Sequence, residues 1–179
     1  MRQRFVLLAA FALGLPVAGL HAQNVTREML PGVTNFARVE TTIACAGATT
    51  PAALEGLKKM GYASVINLRE ATEAGAEIEA EAAAAKAVGL NFVHLPFKVT
   101  TPDPMLVDNF LNAIAAPGNQ PAFVHCASGN RAAALWMIKR VEVDKWDVDR
   151  AAAEAAALGM TSPAMKTFVM NSLQARKRD

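Results

Sequence analysis

Cysteine and histidine are scarce in this chain: Cys45 and Cys126 are its two cysteines, and His21, His94 and His125 its three histidines. A structural zinc site takes about four such ligands at close spacing. No such cluster is present, so a zinc-built fold is excluded. An excess of either charge is missing too. Lys and Arg number 18 against 16 Asp and Glu, and the difference rests on Arg2 and Arg4 in a leader segment. Nucleic-acid-binding domains usually carry a basic excess, so nucleic acid is not an expected partner. Nor is there an uninterrupted apolar run of about 20 residues, the length that spans a bilayer.

The longest apolar stretch, residues 5–20, is interrupted by Gly14 and Pro16. Behind Arg2 and Arg4, and ahead of Leu20-His21-Ala22, it has the parts of a secretory signal peptide, with cleavage expected after residue 22. No cysteine sits at that point, so no lipid and no stable membrane anchor is expected after cleavage. The mature protein is expected in the periplasm or secreted. What remains is long enough for one domain with a real core. The expected organisation is a polar lead-in over residues 23–34, a domain over 35–174 and a short basic tail over 175–179.

Within the domain, short apolar runs alternate with helical patterns. Strands are expected at 36–39, 43–45, 63–68, 91–95 and 122–124. Helices are expected from Thr50-Pro51 to Gly61, over about 73–88, from about Leu106 to Pro117, from Arg131 to about Val141, from Asp147 to Gly159, and from Ser162-Pro163 onward. Strands alternating with helices in this way predict an α/β fold: a mostly parallel central sheet flanked by helices, three-layer α/β/α. Ligands of such sheets bind outside the carboxyl ends of the strands.

One such end carries most of the chemistry. Residues 121–141 read as strand, loop and helix, with His125 and Cys126 at the strand's exit, Ser128, Gly129 and Asn130 in a tight turn, and Arg131 at the helix's start. Backbone N–H groups of a turn that opens a helix converge on an anion, and the helix dipole adds to the attraction. The same field favours a thiolate. Arg131 supplies a planar fork able to hold two oxygens of a tetrahedral oxyanion. The anion-binding loop is thus His125, Ala127, Ser128, Gly129, Asn130 and Arg131 around the nucleophile Cys126.

The run His125-Cys126-Ala127-Ser128-Gly129-Asn130-Arg131 resembles the phosphate-binding loop of cysteine-dependent phosphatases. Residues 35–170 as a whole resemble the beta-lactamase hydrolase-like phosphatase domain, a relative of the dual-specificity and tyrosine phosphatases; Ala46-Gly47, the Asn67-Leu68-Arg69 strand end and His94-Leu95-Pro96 carry the rest of the likeness. The resemblance implies a phosphoric monoester hydrolase passing through a cysteinyl phosphate on a small-molecule or protein phosphoester, with no cofactor and no metal. Two features depart from the usual tyrosine-phosphatase pattern. Four residues separate Cys126 from Arg131 instead of five, a spacing shared with rhodanese sulfurtransferases, and Ala132 replaces the usual hydroxyl residue. A persulfide carried on Cys126, taken from a sulfane sulfur donor, is therefore the alternative chemistry.

The remaining candidates carry two readings each. The positions where dual-specificity phosphatases place their general acid read Phe97-Lys98-Val99, so Asp103 is the nearest substitute; a helix cap is its other reading. Arg69 either adds second-shell positive charge, pairing with Glu70 or Glu73, or is an ordinary strand-end arginine. Asn67 is a candidate for a bond across to a neighbouring loop. Ser128 either donates to the anion or is a plain turn serine. His125, pointing away from Cys126 on a strand, is expected either to shape the loop and tune the thiolate or to be a core histidine with satisfied hydrogen bonds. Cys45 is a candidate redox partner of Cys126, or a buried free thiol.

Overall fold

The computed structural model describes residues 25–40 and 42–178; the expected signal peptide lies outside the described residues. Six strands build one sheet: β1 (Val25–Arg27), β2 (Ala37–Val39), β3 (Ile43–Ala46), β4 (Ser64–Asn67), β5 (Asn91–His94) and β6 (Ala122–His125), in the order β1-β2-β3-β6-β4-β5. The neighbours β3, β6, β4 and β5 run parallel, while β2 and β1 are added antiparallel beyond β3. The carboxyl ends of β3, β6 and β4 therefore lie side by side, with the Cys126 strand in the middle.

Helices cover both faces: α1 (Leu54–Lys59), entered through a 3-10 turn, α2 (Ile78–Val88), α3 (Leu106–Ala115), α4 (Asn130–Glu142), α5 (Val148–Ala157) and α6 (Pro163–Arg176). Period-two alternation sorts the strand side chains. Ala44, Ala46, Val65 and Phe123 meet Leu54, Leu57 and Ala85 of α1 and α2, while Ile43, Cys45, Ile66 and Val124 meet the α3 to α6 side. The predicted three layers follow. Helix α4 is apolar on nearly every side and is buried from Arg131 through Ile138, with α5 and α6 packed against it. Trp136 and Leu135 are fully buried, each such side chain contributing roughly 1.5–3 kcal/mol. Asp147 caps α5 by accepting the Arg150 N–H, and Ser162 caps α6 by accepting that of Met165.

Three boundaries differ from expectation. The lead-in is built into the fold, because residues 25–27 are the edge strand β1 and Val33 bridges Leu30 and Thr49. Helix α6 runs through Arg176, taking in the start of the tail. Helix α2 starts at Ile78, and residues 70–77 form a loop instead. The reason is tertiary: Arg69 grips the carbonyls of Ala74 and Gly75, and Glu73 is drawn inward to Arg131.

Candidate active site

Cys126 lies one residue past β6, its N–H still laddered to the Ala46 carbonyl at 3.2 Å. Its buried sulfur accepts the N–H of Gly129 at 3.1 Å, at the N-terminus of α4. Gly129 has φ +96, a left-handed conformation that costs an L residue roughly 1–2 kcal/mol. The loop leans on the neighbouring strand end. A Cβ on Gly47 would sit 3.1 Å from the Ala127 carbonyl oxygen and 3.2 Å from the Ser128 Cα, tight enough that the loop would have to give way to it. The Ala48 N–H donates to the Ala127 oxygen, and Asn35 Nδ2 to the Ser128 oxygen. On the other side, Asn130 Oδ1 accepts the N–H groups of Thr161 and Ser162 at 2.7 and 2.8 Å, tying the loop to the α5–α6 connection. Ser128 is exposed, and its hydroxyl accepts from Asn130 Nδ2.

Arg131 enters from the first turn of α4 and is nearly buried. Glu73 holds its fork edge on, Oε1 to Nη1 at 2.6 Å and Oε2 to Nη2 at 2.8 Å, and Nη1 also donates to the carbonyls of Leu68 and Phe97. Burial lowers the proton affinity of this guanidinium, but the Glu73 carboxylate and the Cys126 sulfur outweigh it and hold Arg131 above its ordinary value. Burial likewise pushes the Glu73 carboxyl up, and the bonds from Arg131, the Glu70 N–H and Arg69 overcome it, leaving Glu73 at about 2. Of a guanidinium's five N–H donors, those on Nη1 and Nη2 that face Glu73 and the Leu68 and Phe97 carbonyls are spent on protein oxygens.

Residues 35–143, more than half of the chain, match the beta-lactamase hydrolase-like protein, phosphatase-like domain. The chain belongs to that family. Among curated proteins, none matches the sequence. Solved structures share the fold at low identity. TpbA from P. aeruginosa, in complex with pTyr, is 16% identical, with a TM-score of 0.65 over 84% of this chain and 90% of its own. The core catalytic domain of the PP-IP phosphatase SIW14 from S. cerevisiae, in complex with citrate, is 17% identical, with a TM-score of 0.62 over 79% of this chain and 87% of its own. The fold is that of the cysteine-dependent phosphatases.

The other predicted residues of this beta-lactamase hydrolase-like phosphatase domain fall around the loop in different ways. His125 faces the α2 side, stacked on Phe123, while Cys126 sits in the core cluster of the opposite face. Asn67 bonds to helix α2 and not to a neighbouring loop, donating to Glu81 and accepting the Arg69 N–H. Arg69 is 5% exposed and donates to the carbonyls of Ala74 and Gly75, with a longer bond to Glu73 at 3.4 Å. It shapes the loop that presents Glu73 and pairs with Glu73, one of the two carboxylates expected for it. Asp103 is exposed, and its Oδ1 accepts the Met105 N–H, capping the turn that leads into α3 and not the helix itself, whose N-cap is Met105. No hydrogen bond joins it to Arg131 or Cys126 among the described residues.

Cys45 and Cys126 are both free thiols. Cys45 pairs in register with Val124, which places Cys126 two residues further along the neighbouring strand. With strands about 4.8 Å apart and a rise of about 3.3 Å per residue, the two Cα atoms are about 8 Å apart, beyond the roughly 4.4–6.8 Å of a disulfide. The redox partnership expected for Cys45 would need the backbone to move. Sequence reasoning missed two residues, Glu81 and the role of Glu73 on Arg131. Both are long-range partners whose place depends on how α2 and its leading loop dock, and an Ala/Glu-rich stretch gives no local sign of either.

Proposed function

We propose that this domain is a cysteine-dependent phosphoric monoester phosphatase working through a Cys-x4-Arg loop. The observation that carries this reading is the pairing of the Cys126 sulfur with the Gly129 N–H beneath an arginine held edge-on by Glu73. Phosphate oxygens bind the loop N–H groups and the free edge of Arg131. The Cys126 thiolate attacks phosphorus, the S–P bond forms, and the ester P–O bond breaks with its electron pair on the leaving oxygen. Water then cleaves the cysteinyl phosphate, releasing inorganic phosphate and restoring the thiolate.

The acid that protonates the leaving group is the weak part of this machinery. Glu73, held at about 2, carries no proton at neutral pH. Asp103 is the nearest carboxyl on the 97–103 loop, with one oxygen committed to its cap. General acid catalysis contributes roughly 10² to 10⁴-fold, mostly for poor leaving groups. Aryl monoesters, whose leaving groups depart without much help, therefore suit the site best; pTyr is the ligand seen in the TpbA neighbour. Persulfide chemistry rests on the loop spacing, Ala132 and the missing acid, and the family and its structural neighbours do not favour it. The apolar, Pro-interrupted leader supports a periplasmic or secreted location for the mature enzyme.

Mass spectrometry of the reduced mature protein after single-turnover mixing, once with p-nitrophenyl phosphate and once with thiosulfate, tests the chemistry. A phosphate adduct on Cys126, absent from Cys126→Ser, is expected. A persulfide without any phosphate adduct would overturn the proposal in favour of sulfur transfer.

A further inference from the structure

Glu81 touches nothing that reacts, yet it is 2% exposed on a helix where Glu79 is in solvent. A buried carboxylate is costly unless its oxygens are bonded, and both are. Oε1 meets His125 Nε2 at 2.6 Å, and Oε2 accepts from Asn67 Nδ2 at 2.7 Å. His125 Nδ1 has no hydrogen-bond partner, so the imidazole is anchored through Nε2 alone. Asn67 is fixed in orientation, because its Oδ1 takes the Arg69 N–H at 2.8 Å.

These two partners terminate the two strands that make the site. His125 ends β6 and immediately precedes Cys126. Asn67 ends β4 and precedes Leu68, whose carbonyl receives Arg131 Nη1, and Arg69, whose side chain holds the loop bearing Glu73. We propose that Glu81 is a positioning residue: one buried carboxylate clamps the nucleophile's strand end to the arginine's supporting strand end and so sets the distance and angle between Cys126 and Arg131. Its kinetic consequence rests on the phosphatase reading; its effect on the thiolate does not.

The clamp is directional, which makes it testable. In Glu81→Gln one bond is lost either way: with its oxygen on His125 the amide nitrogen faces the Asn67 amide, donor against donor, and with its oxygen on Asn67 it forces His125 into the Nδ1–H tautomer, whose proton has no partner. Adding Asn67→Asp restores the match: the new carboxylate accepts from Gln at 81 and from the Arg69 N–H. Two readouts on folded protein are compared: kcat/KM for p-nitrophenyl phosphate, and the second-order rate of Cys126 alkylation by iodoacetate, an anion that needs the thiolate and the loop together. Glu81→Gln is expected to lower both, kcat/KM by about 10² through kcat more than KM, since misplacement of about 1 Å costs that much. The double variant is expected to recover both to within several-fold of wild type. Unchanged rates in a folded Glu81→Gln, or no recovery in a folded double variant, would overturn the proposal. If the single variant does not fold, the double variant against wild type still decides. A wild type that turns over no phosphate ester would sink the phosphatase reading, leaving the alkylation series to judge Glu81 by itself.

Discussion

Cys45 on β3 and Cys126 just past the end of the neighbouring parallel strand β6 belong to the same core cluster and are both fully buried, yet their surroundings differ. At Cys45, burial is the leading influence and pushes the thiol well up, with the nearby Cys126 adding in the same direction. At Cys126 the strand has ended, a helix begins, and the sulfur receives the Gly129 N–H beside Arg131. Two residues of register separate a small core hydrophobe from the proposed nucleophile. Burial alone silences a thiol, and reactivity comes from the donors that the strand-to-helix turn aims at it.

The sharpest way to test that contrast is to remove each sulfur. Cys126→Ser is expected to abolish phosphoryl transfer, a loss on the order of 10⁴-fold or more, measured as kcat with an aryl phosphate, while phosphate still binds. Next in size, Arg131→Lys keeps the charge but loses the fork that Glu73 orients, and kcat should fall by about 10²–10³, the effect of losing a preorganised oxyanion donor. Retention of activity in the lysine variant would mean that charge alone distinguishes the two cysteine sites.

Glu73 gives the contrast a pH signature. Its folded value of about 2 lies below the ordinary 4.5, so its contribution to stability is fully present above the unfolded value and is lost as pH falls through the folded one. Between about pH 4.5 and pH 2, wild type should lose stability more steeply than Glu73→Gln, read from urea midpoints across that range. The same substitution should lower kcat/KM by about 10-fold by loosening Arg131. Equal acid slopes would show that Arg131 stands without its carboxylate partner.

How much of this was readable in the residues follows the range of the interactions. The turn at Cys126 is a contiguous run, and its glycine, cysteine and arginine declare the strand, loop and helix that hold them; the parallel core strands and α4 follow from alternation and from apolar residues all round. The lead-in strand β1 was not legible, because Val25-Thr26-Arg27 is too short and polar to show a pattern and is ordered by distant partners: β2, the core under Val25 and the Ala157 carbonyl on Arg27. The start of α2 was misplaced for a related reason. An Ala- and Glu-rich segment favours helix locally, and only the pull of Arg131 on Glu73 and of Arg69 on Ala74 and Gly75 holds residues 70–77 open.

The smallest expected effect falls on the quiet member of the pair. Cys45→Ala removes a fully buried sulfur that makes no catalytic contact, so stability should fall by roughly 1 kcal/mol while kcat/KM changes less than several-fold. The register sets the Cα atoms too far apart for an unstrained disulfide, so thiol labelling of the denatured exported protein should count two free thiols without reduction. A single disulfide in that sample, with activity appearing only after reduction, would show that the ends of β3 and β6 shift toward each other in solution. The neighbouring thiol would then be a brake on the nucleophile, and the difference between the two sites would be one of redox state as well as of field.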